Sequence, residues 1–190
     1  MNFKPLALVG ALLVALVAAP AHAAFTGAYD ASQWTTAGSG NGTAVTSSDG
    51  ATLTLTSADY TVDDSPGATT LTYSITLAAD TTITFDWSYV SDDDSSTSDP
   101  FGYAVNGVET QLSQDGVAGF VAQGGSVTIA LSKGDTFSFE SGSVDSIFGA
   151  STASVSAFSA VGAVPEPASV ASLLVGMTLL AGLARRRRKD

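Results

Sequence analysis

Apolar and polar residues alternate one by one along much of the middle of this chain. Ile83, Phe85, Trp87 and Tyr89 are interleaved with Thr84, Asp86 and Ser88. Leu71, Tyr73, Ile75 and Leu77 are interleaved with Thr72, Ser74 and Thr76, and Leu53 and Leu55 with Thr52, Thr54 and Thr56. Val127, Ile129 and Leu131 repeat the pattern, as do Phe137 and Phe139. A period of two with one wet face predicts half-buried antiparallel strands, and threonine suits the wet face of a strand. The punctuation between runs agrees. Ser48-Asp49-Gly50, Asp63-Asp64-Ser65-Pro66-Gly67, Asn106-Gly107, Gly124-Gly125 and Lys133-Gly134-Asp135 are turn signals. Asn106-Gly107 predicts a tight hairpin, and Lys133-Gly134-Asp135 predicts a second one.

No run with helical period lies between residues 24 and 160. The expected fold is all-β: roughly eight to ten short strands in an antiparallel two-sheet sandwich, jelly-roll-like. The expected core is Leu53, Leu55, Tyr73, Ile75, Ile83, Phe85, Trp87, Tyr89, Phe101, Val127, Ile129, Leu131, Phe137, Phe139, Ile147, Phe148 and Phe158. The Gly, Ser, Thr and Asp content of this segment resembles that of disordered chains. The strict alternation argues for a folded domain instead.

The two ends follow other patterns. Leu6–Ala19 is an unbroken small-apolar run behind Lys4, and Ala21-His22-Ala23 supplies small residues ahead of Ala24. That is the layout of a secretory signal peptide over residues 1–23, cut by signal peptidase between Ala23 and Ala24. At the other end, Val164-Pro165-Glu166-Pro167 is stiff and extended, because each proline restricts itself and its predecessor. Residues 168–184 then carry no charge, and Arg185, Arg186, Arg187, Arg188 and Lys189 follow. As a helix the apolar stretch would be roughly 25 Å long, at the lower limit for crossing a bilayer. Its basic end should stay cytoplasmic.

Those three ordered features at residues 164–189 resemble the PEP-CTERM sorting signal of Gram-negative bacteria. The resemblance implies recognition of Pro165, Glu166 and Pro167 by an exosortase, a transient inner-membrane hold through 168–184, and a stop signal at Arg185–Arg188. It implies delivery to the outer surface or the medium, in species that build exopolysaccharide and biofilm. The organisation expected is a signal peptide (1–23), a β-sandwich ectodomain (24–160) and a sorting tail (161–190). The ectodomain, with its Trp-Ser-Tyr strand and Asp99-Pro100-Phe101-Gly102-Tyr103, resembles small sandwiches found with such tails, which brings no catalytic residues with it.

Charge and composition narrow the function. Sixteen Asp and Glu face only Lys133 between residues 24 and 164, leaving fifteen net negative charges where the whole chain has -11. A field of that sign disfavours nucleic acid and anionic membranes. There is no cysteine, and His22 lies in the leader. Disulfides, a Ser-His-Asp triad and His- or Cys-ligated metals are therefore excluded from the ectodomain. The acidic stretch 92–99 offers Asp92, Asp94 and Asp99 as candidate calcium ligands, the only cofactor in view. It lacks the glycine and glutamate of an EF-hand loop. Trp34, in a Gly/Ser/Thr-rich region, is the candidate glycan contact. Exopolysaccharide is the candidate partner.

The expected role is non-enzymatic, at the cell surface or in the extracellular matrix. A carbohydrate-binding or calcium-dependent adhesive module is the alternative, and a secreted hydrolase using paired carboxylates a further one.

Overall fold

The computed structural model describes residues 22–162. The signal segment through Ala21 and the tail from Ala163 onward lie outside the described residues. With them go Pro165, Glu166, Pro167, the apolar span 168–184 and Arg185–Arg188. Among the described residues no helix is long and apolar enough to cross a membrane.

Eleven strands form: β1 (His22–Ala23), β2 (Thr35–Gly38), β3 (Thr43–Thr46), β4 (Leu53–Thr56), β5 (Thr69–Thr76), β6 (Thr81–Ser91), β7 (Phe101–Val105), β8 (Val108–Gln111), β9 (Gln123–Leu131), β10 (Thr136–Ser143) and β11 (Ser151–Gly162). The alternating runs become β4, β5, β6, β9 and β10, because a strand is the one element that sends every second residue to the same side. One sheet has the order β3-β4-β11-β6-β9, with β1 extending it beside β11. The other has the order β2-β5-β10-β7-β8. All pairings are antiparallel. From β4 to β11 the chain lays down β4-β11-β6-β9 against β5-β10-β7-β8, the two-sheet arrangement of a jelly roll.

The hairpin at Asn106-Gly107 forms as expected. Val105 pairs with Val108, and both central residues have positive φ, 53° and 79°. That is the combination asparagine and glycine accept at least cost in a two-residue turn. Lys133-Gly134-Asp135 does not close a hairpin. It carries the chain from β9 in one sheet to β10 in the other, held by the Asp135 carboxylate, which accepts from the Ser132 N–H at 2.8 Å. Both flanking runs alternate whichever sheet they join, so local sequence could not separate the two cases.

The core lies between the sheets and is largely aromatic. Phe25, Phe85, Phe101, Phe137, Phe139 and Phe158 are fully enclosed. The expected core members Trp87, Val127 and Ile129 are only half-buried. β9 is an edge strand, and Trp87 lies opposite Gly125, which has no side chain to cover it. Ile147 is half-buried too, and Phe148 is outside the core altogether at 68 % exposed.

The connections sort by end. Those after β4, β6, β8 and β10 (residues 57–68, 92–100, 112–122 and 144–150) gather at one end, tied by Tyr60 N–H to Ser146 O, Ser96 N–H to Val117 O and Val144 N–H to Ser98 O. The turns after β5, β7 and β9 lie at the other, where Gly134 N–H meets Leu77 O and Asn106 N–H meets Thr136 O. β11 runs from the first end, where Ser151 pairs with Ser91, to the second, where Gly162 pairs with Thr81. Ala24 N–H donates to Phe158 O. Both exits of the described segment therefore lie towards the second end.

Candidate functional site

The acidic stretch does not build a cation site from the expected residues. Strand alternation continues past β6, so Asp92 and Asp94 project to solvent while Asp93 turns inward. Asp99 is completely buried. Its carboxylate accepts from the Ser57 hydroxyl at 3.2 Å and the Ser91 hydroxyl at 3.0 Å, and its carbonyl accepts from the Tyr89 hydroxyl at 2.5 Å. Asp99 thus pins the ends of β4 and β6 together, facing away from Asp92 and Asp94. Among the described residues no three His, Asp or Glu side chains come together. The candidate calcium trio is thus corrected to one structural carboxylate and two exposed ones.

Burial pushes the Asp99 carboxyl above the usual aspartate range, against the pull of the Ser143, Ser91 and Ser57 hydroxyls. Desolvation by burial, helped by the charge of Asp99, pushes the Tyr89 phenol up to about 12. A buried carboxyl whose oxygens are already engaged by hydroxyl donors is a structural device here.

Trp34 is corrected from a glycan contact to a core residue. It is 7 % exposed, and its ring stacks on Tyr73 at 4.9 Å with 2° between planes. Its indole N–H donates to Tyr29 O at 3.0 Å. Two short 3-10 turns, Gly27–Tyr29 and Ala31–Gln33, fold the segment inward just ahead of Trp34. The polar composition of the neighbourhood concealed this.

The outward positions of the sheet strands are rich in hydroxyls. The six-stranded face carries Thr54, Ser154, Ser88 and neighbours in register. The five-stranded face holds a shallow cavity of about 130 Å³ containing Glu140, Glu109, Gln111 and Thr70. Burial raises the Glu140 carboxyl, with Ser138 opposing and Glu109 reinforcing the rise. Two carboxylates in a shallow trough give hydrogen-bond acceptors, beside Pro100, Phe101 and Tyr103, which also line it.

The exposed aromatic surface lies elsewhere, at the end where the four long connections gather. Phe120 is 75 % exposed and Phe148 is 68 % exposed. Both have positive φ, 64° and 71°, a region bulky side chains seldom enter. They flank one backbone segment. On one side, Phe120 N–H donates to Ser91 O at 2.7 Å and Gly119 N–H to Asp94 O at 2.9 Å. On the other, Asp92 N–H donates to Ala150 O at 3.0 Å. Gly119 presses so close that a Cβ there would sit 1.9 Å from Asp93 O. Gly149 packs against Asp92 in the same way, with a Cβ at 2.8 Å from its carbonyl. Exposed Val62, Val121 and Val144 occupy the same group of connections. So do the exposed carboxylates of Asp59, Asp63, Asp64, Asp92, Asp94 and Asp115, while Lys133 is in a turn at the opposite end. The sequence offered one usable signal: Gly119-Phe120 and Phe148-Gly149 each join an aromatic residue to a glycine.

Residues 163–189 match the family model of the PEP-CTERM protein-sorting motif. The chain carries a PEP-CTERM sorting signal. The PEP-CTERM motif marks it as an exported protein handled by an exosortase and sent through the membrane to the cell surface. None of the curated proteins matches the chain. Solved structures similar to it include a carbohydrate-binding module described as of the β-sandwich superfamily with promiscuous specificity, at 15 % identity and a TM-score of 0.42, covering 68 % of this chain and 57 % of that one. The chain thus spans little more than half the length of that structure. A carbohydrate-binding module solved with β-1,4-galactotriose is similar at 12 % identity and a TM-score of 0.39, covering 70 % of this chain and 90 % of that one. A family 35 carbohydrate-binding module from Clostridium thermocellum is similar at 14 % identity and a TM-score of 0.37, covering 76 % of this chain and 100 % of that one.

Proposed function

We propose that this PEP-CTERM protein is a non-enzymatic surface or extracellular-matrix component whose sandwich is displayed by its sorting tail for an interaction role in the envelope, exopolysaccharide or biofilm. One observation carries the reading. The sorting motif starts at residue 163, immediately after β11 ends at Gly162. No residue separates them, so the tail leaves the domain from the end that holds Thr81. β11 has twelve residues, which places the Phe120 and Phe148 end roughly 35–40 Å further out. While the tail is held in the membrane, a domain so mounted presents its exposed aromatic and acidic connections away from it.

In the same reading, residues 1–23 are removed as a signal peptide, 168–184 hold the chain in the inner membrane for a time, and Pro165-Glu166-Pro167 is what the exosortase recognises. Replacing Pro165, Glu166 and Pro167 together by alanine should leave the protein in the inner-membrane fraction. Cell fractionation with intact-mass measurement reads this directly. Arrival of the triple variant at the surface with the same mass as the parent would refute the reading.

A further inference from the structure

The apolar surface of this domain is unevenly distributed. Of the large apolar side chains left in solvent, Val62, Phe120, Val121, Val144 and Phe148 belong to the four connections at the outward end. Both exposed rings among them are built in at a conformational cost. Each phenylalanine occupies the left-handed region, and each adjoins a glycine that lets the backbone press onto the 91–94 segment. An exposed ring gains nothing from burial, and a bulky residue at positive φ gains nothing from the backbone. Strain of that kind concentrates at binding sites.

Two exposed aspartates share this backbone. Asp92 lies against Gly149, next to Phe148, and Asp93 with the Cα of Asp94 lies against Gly119, next to Phe120. Phe120 and Phe148 border the same 91–94 segment from its two sides, so their backbones lie about two strand spacings apart, roughly 10 Å. Two flat apolar faces, each paired with an acceptor and separated by a short span, match a chain of linked sugar rings. The C–H faces of such rings stack on aromatics, and their hydroxyls donate to carboxylates. With six exposed carboxylates in these connections and Lys133 at the far end, a polymer bearing acid groups is repelled.

We propose that the outward end of the sandwich binds a non-acidic polysaccharide, with Phe120 and Phe148 as stacking faces and Asp92 and Asp94 as hydroxyl acceptors. This inference rests on the surface-display reading above.

The test compares the exported protein with a Phe120→Asn, Phe148→Asn double variant and a Val62→Asn control, on an array of neutral, amino-sugar and uronic-acid polysaccharides. Asparagine enters the left-handed region readily, so the double variant should keep the parent's melting temperature. The expected result is binding to one or more neutral or amino-sugar polymers. It should weaken at least tenfold in the double variant and stay unchanged in the control, with no binding to uronic-acid polymers. Absence of binding to every non-acidic polymer overturns the proposal. So does equal binding by parent and double variant, or an equal loss in the Val62 control. Phenylalanine-dependent binding to phosphatidylcholine or phosphatidylglycerol vesicles, run alongside, would assign the surface to lipid instead. Fractionation of the same cells keeps the two readings apart: a protein delivered to the surface that binds nothing fails here and leaves the display reading standing.

Discussion

Replacing Trp34 by alanine separates a core residue from a surface one by a wide margin. Trp34 is 7 % exposed. A buried indole removes roughly 200 Å² from water, about 5 kcal/mol at 25 cal/mol per Å². Its ring stacks on Tyr73 at 4.9 Å and on Phe139 at 5.8 Å, and meets Phe25 edge-on at 5.7 Å. Tyr73 and Phe139 sit on one sheet, Phe25 on an N-terminal segment, and Phe158 of the other sheet meets the ring edge-on at 5.9 Å, so the site cannot collapse to fill the gap. Large aromatic-to-alanine changes in such sites cost about 3–5 kcal/mol, and the lost bond to Tyr29 O adds about 1 kcal/mol. We expect a loss of about 4–5 kcal/mol and a melting temperature lower by roughly 15 °C. Urea unfolding followed by far-ultraviolet circular dichroism measures it, and the fluorescence of Trp87 gives an independent probe of the same transition. The m-value should be unchanged, since the surface exposed on unfolding is nearly the same. Trp34→Phe, which keeps an aromatic stack and loses the hydrogen bond, should fall between. A loss below about 1 kcal/mol with unchanged m, as for an exposed residue, would refute the placement of Trp34 in the core.

Two further outcomes follow from the end where the four long connections gather. Asp99 has a folded-state affinity for its proton above that of the unfolded chain, because burial disfavours its charge. From about pH 4 upward the unfolded chain releases this proton first, so the Asp99 contribution to stability is largest in acid and falls as pH rises. Asp99→Asn should remove that component, making the fall in stability from pH 4 to pH 7 shallower than in the parent; equal slopes in matched urea titrations would contradict it. Gly119→Ala places a methyl 1.9 Å from Asp93 O, a contact that only backbone movement can relieve. The expected cost is about 1–3 kcal/mol by thermal melting, and an unchanged melting temperature would show that the 112–122 connection is not pressed against the 91–94 segment.

Strand content was legible because it depends on neighbours two residues away. Ile83 to Tyr89 and Leu71 to Leu77 advertise one dry face and one wet one, and they became β6 and β5 in the expected phase. The Asn106-Gly107 turn was legible for a similarly local reason, the tolerance of those two residues for positive φ. At 163–189 the sorting signal was legible from composition and order alone.

What misled was each feature whose meaning depends on a distant part of the chain. Trp34 looked exposed among small polar residues, yet Tyr73 and Phe139 supply its surroundings from other strands. Phe148 looked like core because it is apolar and follows Ile147, yet the backbone turns it outward at positive φ. Asp99 looked like one more acid in a wet acidic stretch, yet it is the one that turns in to meet Ser57 and Ser91. Lys133-Gly134-Asp135 looked like a hairpin, yet β9 and β10 join different sheets.

By itself, then, the sequence determined that this chain is a cysteine-free β-sandwich carrying a PEP-CTERM sorting signal, because the sorting motif and the strand period are written in consecutive residues. Only the tertiary structure decided which connections gather at one end, which aromatics are left exposed there and which acid is buried. Those outcomes depend on which strands pair and in what order, and pairing is settled by contacts between residues far apart in the chain.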